Sequence, residues 1–149
     1  MTEQNIALEP FTYTDIDDFL TWFQHEDDVI TWAGYYFSFP FQKEQFDCHV
    51  EQALQEKPVR RLFKAILNPH QSWIGYVELE NINYDNLTAY ISKLVVHPAY
   101  RGLGYGSGIL NAIIERGFRF EKYYRLEAMI FECNTPAIHL FKKMGFTDE

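Results

Sequence analysis

Residues 94 to 106 read Leu-Val-Val-His-Pro-Ala-Tyr-Arg-Gly-Leu-Gly-Tyr-Gly, and this stretch decides the fold. Its apolar start predicts the end of a strand, its three spaced glycines predict a loop, and an amphipathic pattern that follows predicts a helix. Glycine lets a backbone turn tightly and approach a ligand closely. The free amides and the positive dipole end of a helix N-terminus attract anions. The stretch therefore predicts a phosphate-binding cradle, to which Arg101 adds a positive charge.

The details of the loop narrow the choice of ligand. Gly106 is followed by Ser107-Gly108 without a lysine, so the loop lacks the Gly-Lys-Ser/Thr ending of a nucleoside triphosphatase. The spacing of Gly102 and Gly104 to the next glycines fits a dinucleotide-binding fingerprint poorly, and no suitably placed acidic residue follows in a βαβ unit. Binding of ATP or NAD is therefore only an alternative interpretation.

Composition indicates one well-packed domain that spans residues 1–149. The chain is 47% hydrophobic, which is ample for a core and excludes global disorder. Its net charge of −8 disfavours nucleic acid and anionic membranes as partners. The charge is compatible with a cationic amine substrate, although solubility alone explains it equally well.

The N-terminus and the cysteines indicate a cytoplasmic protein. The opening residues form neither a basic segment nor an apolar export signal, and no apolar run approaches the ~20 residues that a membrane span needs. Cys48 and Cys133 are too few for a disulfide framework or a metal site, so we expect two reduced thiols and no metal.

Hydrophobic spacing along the chain predicts an α+β (mixed α/β) fold with the order β-α-α-β-β-β-α-β-α. The middle three strands follow one another closely enough for an antiparallel meander. An aromatic-rich loop is predicted between the first two helices, at 29–41. The predicted strands are 6–11, 59–67, 72–80, 88–96 and 125–132, and the predicted helices are 14–23, 42–56, 105–121 and 135–144.

A second motif, Asn134-x-x-Ala137-x-x-Leu140-Phe141-x-Lys143-x-Gly145-Phe146, begins 30 residues after Gly104. The two motifs, in this order, resemble motifs A and B of the GNAT superfamily of acyl-CoA-dependent N-acyltransferases. The resemblance covers the chain from about residue 6 to its end. It implies a mostly antiparallel twisted sheet with one splayed strand pair. More distantly, the segment Leu8-Glu9-Pro10-Phe11 resembles sequences of one branch of the family, whose members acetylate ribosomal proteins and other protein N-termini.

The resemblance also implies acetyl-CoA as the cosubstrate. In this family the main chain of the fourth strand hydrogen-bonds the pantetheine arm and polarises the thioester carbonyl, while the loop amides hold the pyrophosphate. The side chains of the same strand can pack in the core while its main chain plays this role. For Asn134, the alternative is that it caps the N-terminus of a helix and binds no ligand. The predicted acetyl-CoA residues are Leu94, Val95, Val96, Arg101, Gly102, Leu103, Gly104, Tyr105, Gly106, Ser107, Asn134, Phe141 and Lys143.

Acyl transfer to an amine requires a base. Many family members carry a carboxylate in the fourth strand, but residues 89–93 of this chain contain none, and Tyr90 stands near that position. Glu78 and Glu80 are the nearest acids and share one strand face. Glu80, which ends its strand beside a loop, is the preferred candidate. The alternative is that both acids form a solvated strand face.

The leaving thiolate requires an acid, and the family's usual tyrosine corresponds to Phe141, which cannot donate a proton. Tyr90, Tyr105 or water must then serve, or the thiolate leaves unassisted. The phenylalanine at this position also leaves open a different class of function, in which the chain is a noncatalytic module that binds acyl-CoA.

The aromatic loop lies where the family lines its acceptor pocket, so Trp32, Tyr35 and Tyr36 are predicted to bind the acceptor, together with Glu78. Closing the core under the loop is the structural alternative. The predicted reaction is direct attack of a primary amine on acetyl-CoA in a ternary complex, with a protein N-terminus, a polyamine or a small amine as acceptor. The family usually adds strands after Gly145-Phe146, so we expect short or missing C-terminal strands and a possible homodimer.

Overall fold

The computed structural model describes residues 5–149, which form one five-stranded sheet with helices on both faces. The strand order follows the chain, β1-β2-β3-β4-β5. Strands β1 to β4 pair antiparallel, and β5 is added parallel to β4. The strands are β1 (Ile6–Pro10), β2 (Arg61–Leu67), β3 (Ser72–Asn83), β4 (Thr88–Val96) and β5 (Arg125–Ala128). The predicted fold class and meander are thereby confirmed.

Residues 5–149 contain five α-helices, one more than the sequence pattern predicts. They are α1 (Ile16–Leu20), α2 (Glu26–Ala33), α3 (Lys43–Ala53), α4 (Tyr105–Glu115) and α5 (Thr135–Lys143). Helix α4 continues into a single wider π-helical turn, Arg116–Phe120, so the predicted helix at 105–121 is confirmed.

The prediction of a loop throughout 29–41 is wrong at its start, because α2 occupies Glu26–Ala33. A capping interaction begins this helix, since the Asp28 carboxylate accepts a hydrogen bond from the His25 amide at 3.1 Å. Val29, Trp32 and Ala33 are buried at helical spacing, a pattern that the surrounding aromatic residues obscure in the sequence.

The predicted strand at 125–132 is also too long, since β5 ends at Ala128. Its last paired residue faces Ile91, and β4 continues beyond that point without it. An alternating pattern predicts an extended chain, but only a neighbouring strand makes that chain part of a sheet.

Two apolar clusters cover the two faces of the sheet. The aromatic cluster lies under α1, α2 and α3, and the aliphatic cluster lies under α4 and α5. The aromatic cluster includes Phe11, Phe19, Trp22, Phe23, Trp32, Phe37, Phe41, Phe46 and Tyr76, and the aliphatic cluster includes Ile74, Val77, Leu79, Ile91, Ile109, Leu110 and Ile113. Edge-on ring contacts hold the aromatic cluster together, as between Phe11 and Tyr76 with centroids 5.2 Å apart.

Candidate active site

A wedge opens between β4 and β5 halfway along β4. The two strands pair from Thr88 opposite Arg125 to Ile91 opposite Ala128. Within residues 5–149, β4 then runs on to Val96 with no β5 partner, so the β5-facing main-chain groups of 92–96 are not used by that strand. The predicted splayed strand pair is confirmed.

A β-bulge in β4 lies directly at the opening of the wedge. Tyr76 pairs with Val95 and Glu78 with Ser92, so one strand advances two residues while the other advances three. Lys93 takes up the extra length with a left-handed backbone, φ 52°. In consequence Leu94 packs on the aliphatic cluster and Val95 on the aromatic cluster.

Trp32 fixes this bulge from the aromatic side. Its indole Nε1 donates a hydrogen bond of 2.6 Å to the main-chain carbonyl oxygen of Lys93. The ring is only 8% exposed and packs against Phe23 and Phe37. This burial favours the alternative that Trp32 closes the core, and its contact with an acceptor stays a prediction. Burial beneath α2 makes it part of the core, and its polar atom serves the bulge.

The glycine-rich loop has the geometry that the motif predicts. Gly102 and Gly104 both have left-handed backbones, with φ 77° and 84°, and Gly104 is the N-cap of α4. The first amides of α4, including those of Tyr105 and Ser107, precede any intrahelical acceptor. They point out of the helix start, where an anion is favoured.

Side chains tie this cradle to the end of β4 and to α5. The Arg101 Nε donates to the Val96 carbonyl oxygen at 3.0 Å, so an exposed cation sits between strand and loop. A Cβ placed on Gly106 would lie 3.6 Å from Leu140 and 3.8 Å from Val96, which shows that α5 packs next to the cradle. Leu103 is exposed on the loop.

Helix α5 begins at Asn134, whose side-chain oxygen accepts a hydrogen bond from the Ala137 amide at 3.3 Å. Its Nδ2 donates to the Thr31 carbonyl oxygen at 3.4 Å, which links the start of α5 to α2. The capping role of Asn134 is thus realised. Phe141 is buried with its ring 5.0 Å from that of Phe146, and Lys143 is exposed on the last turn.

A cavity of about 360 Å³ lies beside the closed end of the wedge. It brings together Glu80 and Tyr90, which face each other across β3 and β4. Tyr90 is also paired with Glu127 on β5, so a second carboxylate flanks it from the other side. Tyr105 lies outside this group, with its ring 6.1 Å from that of Tyr100 near the cradle. The lining residues are Val59, Arg60, Glu80, Asn81, Tyr90 and Met129.

Glu78 lies behind the cavity in a buried charged group and is 0% exposed. Its carboxylate contacts His49 Nε2 at 2.6 Å, the Tyr76 hydroxyl at 2.5 Å, Arg60 Nη1 at 3.0 Å and Lys93 Nζ at 3.6 Å. These partners enclose Glu78, which favours a structural role, and its contact with substrate stays a prediction.

Burial and the neighbouring charges together determine the pKa values of Glu78 and Tyr76 in this group. Burial alone would raise the pKa of Glu78, but His49, Lys93 and Arg60 outweigh that effect and lower the pKa from 4.5 to about 2. Burial, together with the adjacent Glu78 carboxylate, raises the pKa of Tyr76 well above its usual range. At neutral pH Glu78 is thus a charged acceptor, and the protonated hydroxyl of Tyr76 donates to it.

Glu80 is one-quarter exposed and is also paired. Its Oε2 accepts from Lys93 Nζ at 2.9 Å and from Arg60 Nη1 at 3.2 Å. The Tyr36 ring lies over both cations, 5.0 Å from Lys93 and 5.8 Å from Arg60, so its face already serves the protein's own charges. Tyr35 is 87% exposed at the surface.

Sequence reasoning misses His49, Arg60, Lys93 and Met129, which the structure places in or behind the cavity. Their spacing carries no signal, because they come from α3, the residue before β2, β4 and the segment after β5. The signal in the sequence is the pair Glu78 and Glu80. Two acids on one face of a strand need polar or charged partners when they are buried, so the pair indicates that such partners lie nearby.

The fold and the site define an α+β domain in which a splayed strand pair opens beside a glycine-rich helix start. The family model described as Acetyltransferase (GNAT) family matches residues 14–146. The chain therefore belongs to the GNAT acetyltransferase family.

Several curated relatives are acetyltransferases. Spermidine N(1)-acetyltransferase of Escherichia coli strain K12 is 31% identical over 75 residues, which is 50% of this chain and 40% of that protein. An uncharacterized N-acetyltransferase of Methanocaldococcus jannaschii is 27% identical over 98% of this chain and 67% of its own length. The alignment thus spans less than half of the E. coli relative.

Solved structures share the fold. A spermidine N-acetyltransferase from Vibrio cholerae, in complex with CoA and spermine, superposes with a TM-score of 0.82 at 17% identity. The superposition covers 97% of this chain and 82% of that one. A dodecameric structure of spermidine N-acetyltransferase from the same organism has a TM-score of 0.68 at 18% identity, with 97% and 80% covered.

Residues 5–149 offer neither a helix suited to span a membrane nor a group of possible metal ligands. None of the helices there is both long and apolar enough to cross a membrane. In the same part of the chain, no three side chains of His, Cys, Asp or Glu are grouped so that they could hold a metal ion.

Proposed function

We propose that this chain transfers an acetyl group from acetyl-CoA to a primary amine by direct attack in a ternary complex. The observation that carries the proposal is the wedge beside the cradle. The unpaired stretch of β4, 92–96, leads directly to the glycine-rich start of α4. A flexible arm with a phosphate end can lie along this path, with its arm against the strand and its anion at the helix.

The residues of the path fit acetyl-CoA. The amides that open α4 and the exposed Arg101 guanidinium hold the pyrophosphate. The β5-facing main chain of Leu94, Val95 and Val96 bonds the pantetheine amides as a neighbouring strand would. Bound there, acetyl-CoA supplies the activated acyl group, and an amide N–H of Leu94 or Val96 polarises its carbonyl.

Proton transfer is assigned to the cavity side. An amine with a pKa near about 10.4 is protonated at neutral pH and must lose a proton before it attacks. Glu80 faces the cavity with part of its carboxylate exposed and is the candidate base, directly or through water. Tyr90, opposite it, is the candidate proton donor to the leaving thiolate, with Tyr105 near the cradle as the second.

The acceptor is a protein N-terminus, a polyamine or a small amine. The names of the E. coli and V. cholerae relatives support a small amine, because those proteins act on spermidine. We also propose that residues 1–149 form one cytoplasmic domain that can form a homodimer. The dodecameric V. cholerae structure is compatible with assembly, and light scattering during size-exclusion chromatography measures it.

Binding and turnover test the proposal separately. Thermal shift and calorimetry with acetyl-CoA, ATP and NAD should show stabilisation by acetyl-CoA, whereas stabilisation by ATP or NAD alone would exclude this function. CoA release with a panel of peptides, polyamines, amino acids and aminoglycosides then measures transfer. Tight acetyl-CoA binding without release by any amine would instead support the noncatalytic module that Phe141 leaves open.

A further inference from the structure

We propose that the acceptor amine of this chain also carries a carboxylate or a similar anionic group. This inference rests on the proposed function, because it concerns the cavity beside the wedge. The cavity is lined by one cation, Arg60, and one anion, Glu80, together with the neutral polar side chains of Asn81 and Tyr90. A lining of this kind is complementary to a zwitterion.

The two acids next to the cavity are not available to a polycation. Glu78 is fully buried and held by His49 and Arg60 at 2.6 and 3.0 Å, and by Lys93 at 3.6 Å. Glu80 is held by Lys93 at 2.9 Å and by Arg60 at 3.2 Å. The charges of the two carboxylates are therefore balanced by a guanidinium and an ammonium that belong to the protein.

This balance weakens the case for a polyamine. A polyamine presents a second ammonium, which needs an uncompensated carboxylate or the open face of an aromatic ring. The carboxylates face Arg60 and Lys93, and so does the ring of Tyr36. A second ammonium would add net positive charge to a group whose two cations already balance its two carboxylates, whereas a zwitterion adds none.

Arg60 offers what an anion needs. Its hydrogen bonds use Nε, which donates to Gln52 at 2.8 Å, and Nη1, which donates to Glu78 and Glu80 and lies 2.8 Å from His49 Nε2. Its side chain is 11% exposed, and it lines the cavity, so the guanidinium is fixed in place yet reaches the opening. A guanidinium held this way is a strong and directional partner for a carboxylate.

The position of the cavity suits transfer. Tyr90 immediately precedes Ile91, the last residue of β4 that pairs with β5, and Met129 immediately follows β5. The cavity therefore adjoins the closed end of the wedge, where the acyl group is expected. A volume of about 360 Å³ accommodates a molecule the size of an amino acid. Its anionic group then faces Arg60, and its amine lies near Glu80 and Tyr90.

Matched acceptors test the proposal on the unaltered protein. Glycine, L-alanine and L-phenylalanine are compared with their methyl esters, and with spermidine and putrescine, by the rate of CoA release at saturating acetyl-CoA. We expect kcat/KM to be at least tenfold higher for each carboxylate than for its ester, after correction for the fraction of free amine. Equal or higher values for the esters or for spermidine would overturn the inference and leave the proposed acetyl transfer intact. No release with any amine, despite acetyl-CoA binding, would overturn both.

A pair of variants tests the role assigned to Arg60. Arg60→Lys keeps the positive charge among Glu78 and Glu80 but removes the fork of the guanidinium, and we expect the carboxylate-to-ester ratio to fall at least fivefold. Arg61→Lys is the matched control, because Arg61 points to the opposite face of β2, toward Glu121 at 3.8 Å. Circular dichroism and thermal unfolding confirm the fold of each variant. An unchanged ratio in Arg60→Lys would assign anion recognition elsewhere and refute this part.

Discussion

Trp32 and Lys93 are 61 residues apart in the chain, and a hydrogen bond of 2.6 Å joins the indole Nε1 of the first to the carbonyl oxygen of the second. This bond ties helix α2 to the bulge of β4, at the point where the wedge opens. The position of the β4 strand, proposed above to bind acetyl-CoA, is therefore coupled to a helix on the aromatic side of the sheet.

We expect Trp32→Phe to lower the free energy of unfolding by about 2 kcal/mol, from a lost hydrogen bond, a buried carbonyl without its donor and a partly filled space. Urea denaturation measures the loss. Trp22→Phe makes the same change of ring in the same cluster, but Trp22 packs on Trp73 and His97. Acetyl-CoA affinity should fall in Trp32→Phe and hold in Trp22→Phe, and an equal fall in both would contradict the coupling.

The cradle can be tested by a pair of glycine substitutions. Gly102 and Gly145 both have left-handed backbones, φ 77° and 100°, and a Cβ added to either meets no atom within 4 Å. Alanine should therefore cost both sites a similar backbone strain, about 1 kcal/mol. We expect Gly102→Ala to weaken acetyl-CoA binding at least tenfold, or about 1.4 kcal/mol, and Gly145→Ala to leave it unchanged. Calorimetry that gives equal affinities for the two variants would argue against a cradle in this loop.

Arg101 should contribute less than the loop backbone. Its side chain is exposed and already bonded to the Val96 carbonyl oxygen, so its contact with a phosphate is screened by solvent. We expect Arg101→Ala to weaken acetyl-CoA binding by roughly 1 kcal/mol, and the difference from wild type to shrink as salt is raised. Titrations at low and high ionic strength measure both effects, and a loss independent of salt would assign Arg101 a structural role instead.

Glu80→Gln should lower turnover about a hundredfold if Glu80 is the base, while acetyl-CoA affinity stays within about twofold, because the coenzyme contacts lie on β4 and α4. The loss should shrink between about pH 6 and 9, as free amine becomes available without help. Glu127→Gln is the informative comparison, since Glu127 flanks Tyr90 from β5. A larger loss in Glu127→Gln than in Glu80→Gln would transfer the role of base to Glu127.

Glu78 should make the fold sensitive to acid. Its pKa is lowered from 4.5 to about 2, so its stabilising effect is complete above about pH 4.5 and is lost as pH falls toward 2. The effect amounts to about 3 kcal/mol across that window. Glu78→Gln should flatten this part of the stability curve and also destabilise the protein at neutral pH, because Arg60 and Lys93 lose a buried partner. Glu9→Gln, at an exposed position of β1, should leave the curve unchanged.

The parts of the fold that depend on local sequence could be predicted. The glycine spacing at 102–106 gives the left-handed loop and the start of α4, and period-two and helical patterns give all five strands and most helices. Helix α2 could not be separated from its surroundings, because an aromatic core under short helices places large residues at nearly every position.

Only those parts of the candidate site that lie in one continuous segment of the chain could be predicted. The residues of the cradle follow one another in the chain, whereas the cavity combines Arg60, just before β2, with Glu80 of β3 and Tyr90 of β4. The bulge at Lys93 determines which of these side chains lie close together. No residue type near Lys93 indicates that the strand contains an extra residue. The burial of Trp32 and Glu78 could not be predicted for the same reason, since it depends on partners that are distant in the chain.

The bulge at Lys93 divides β4 into two halves whose side-chain patterns are set independently. In an uninterrupted strand, Ile91 and Leu94 would point to opposite faces, yet here both pack on the aliphatic cluster. Straightening the bulge without shortening the strand would turn every later side chain over, whereas removing its one extra residue would keep Leu94 on the same face as Ile91. If the chain has the proposed function, residues that face the acceptor in the half before the bulge can change while the half after it keeps its contacts with the cosubstrate. Such modularity within a single strand would let an acetyltransferase change its acceptor without rebuilding its cosubstrate site.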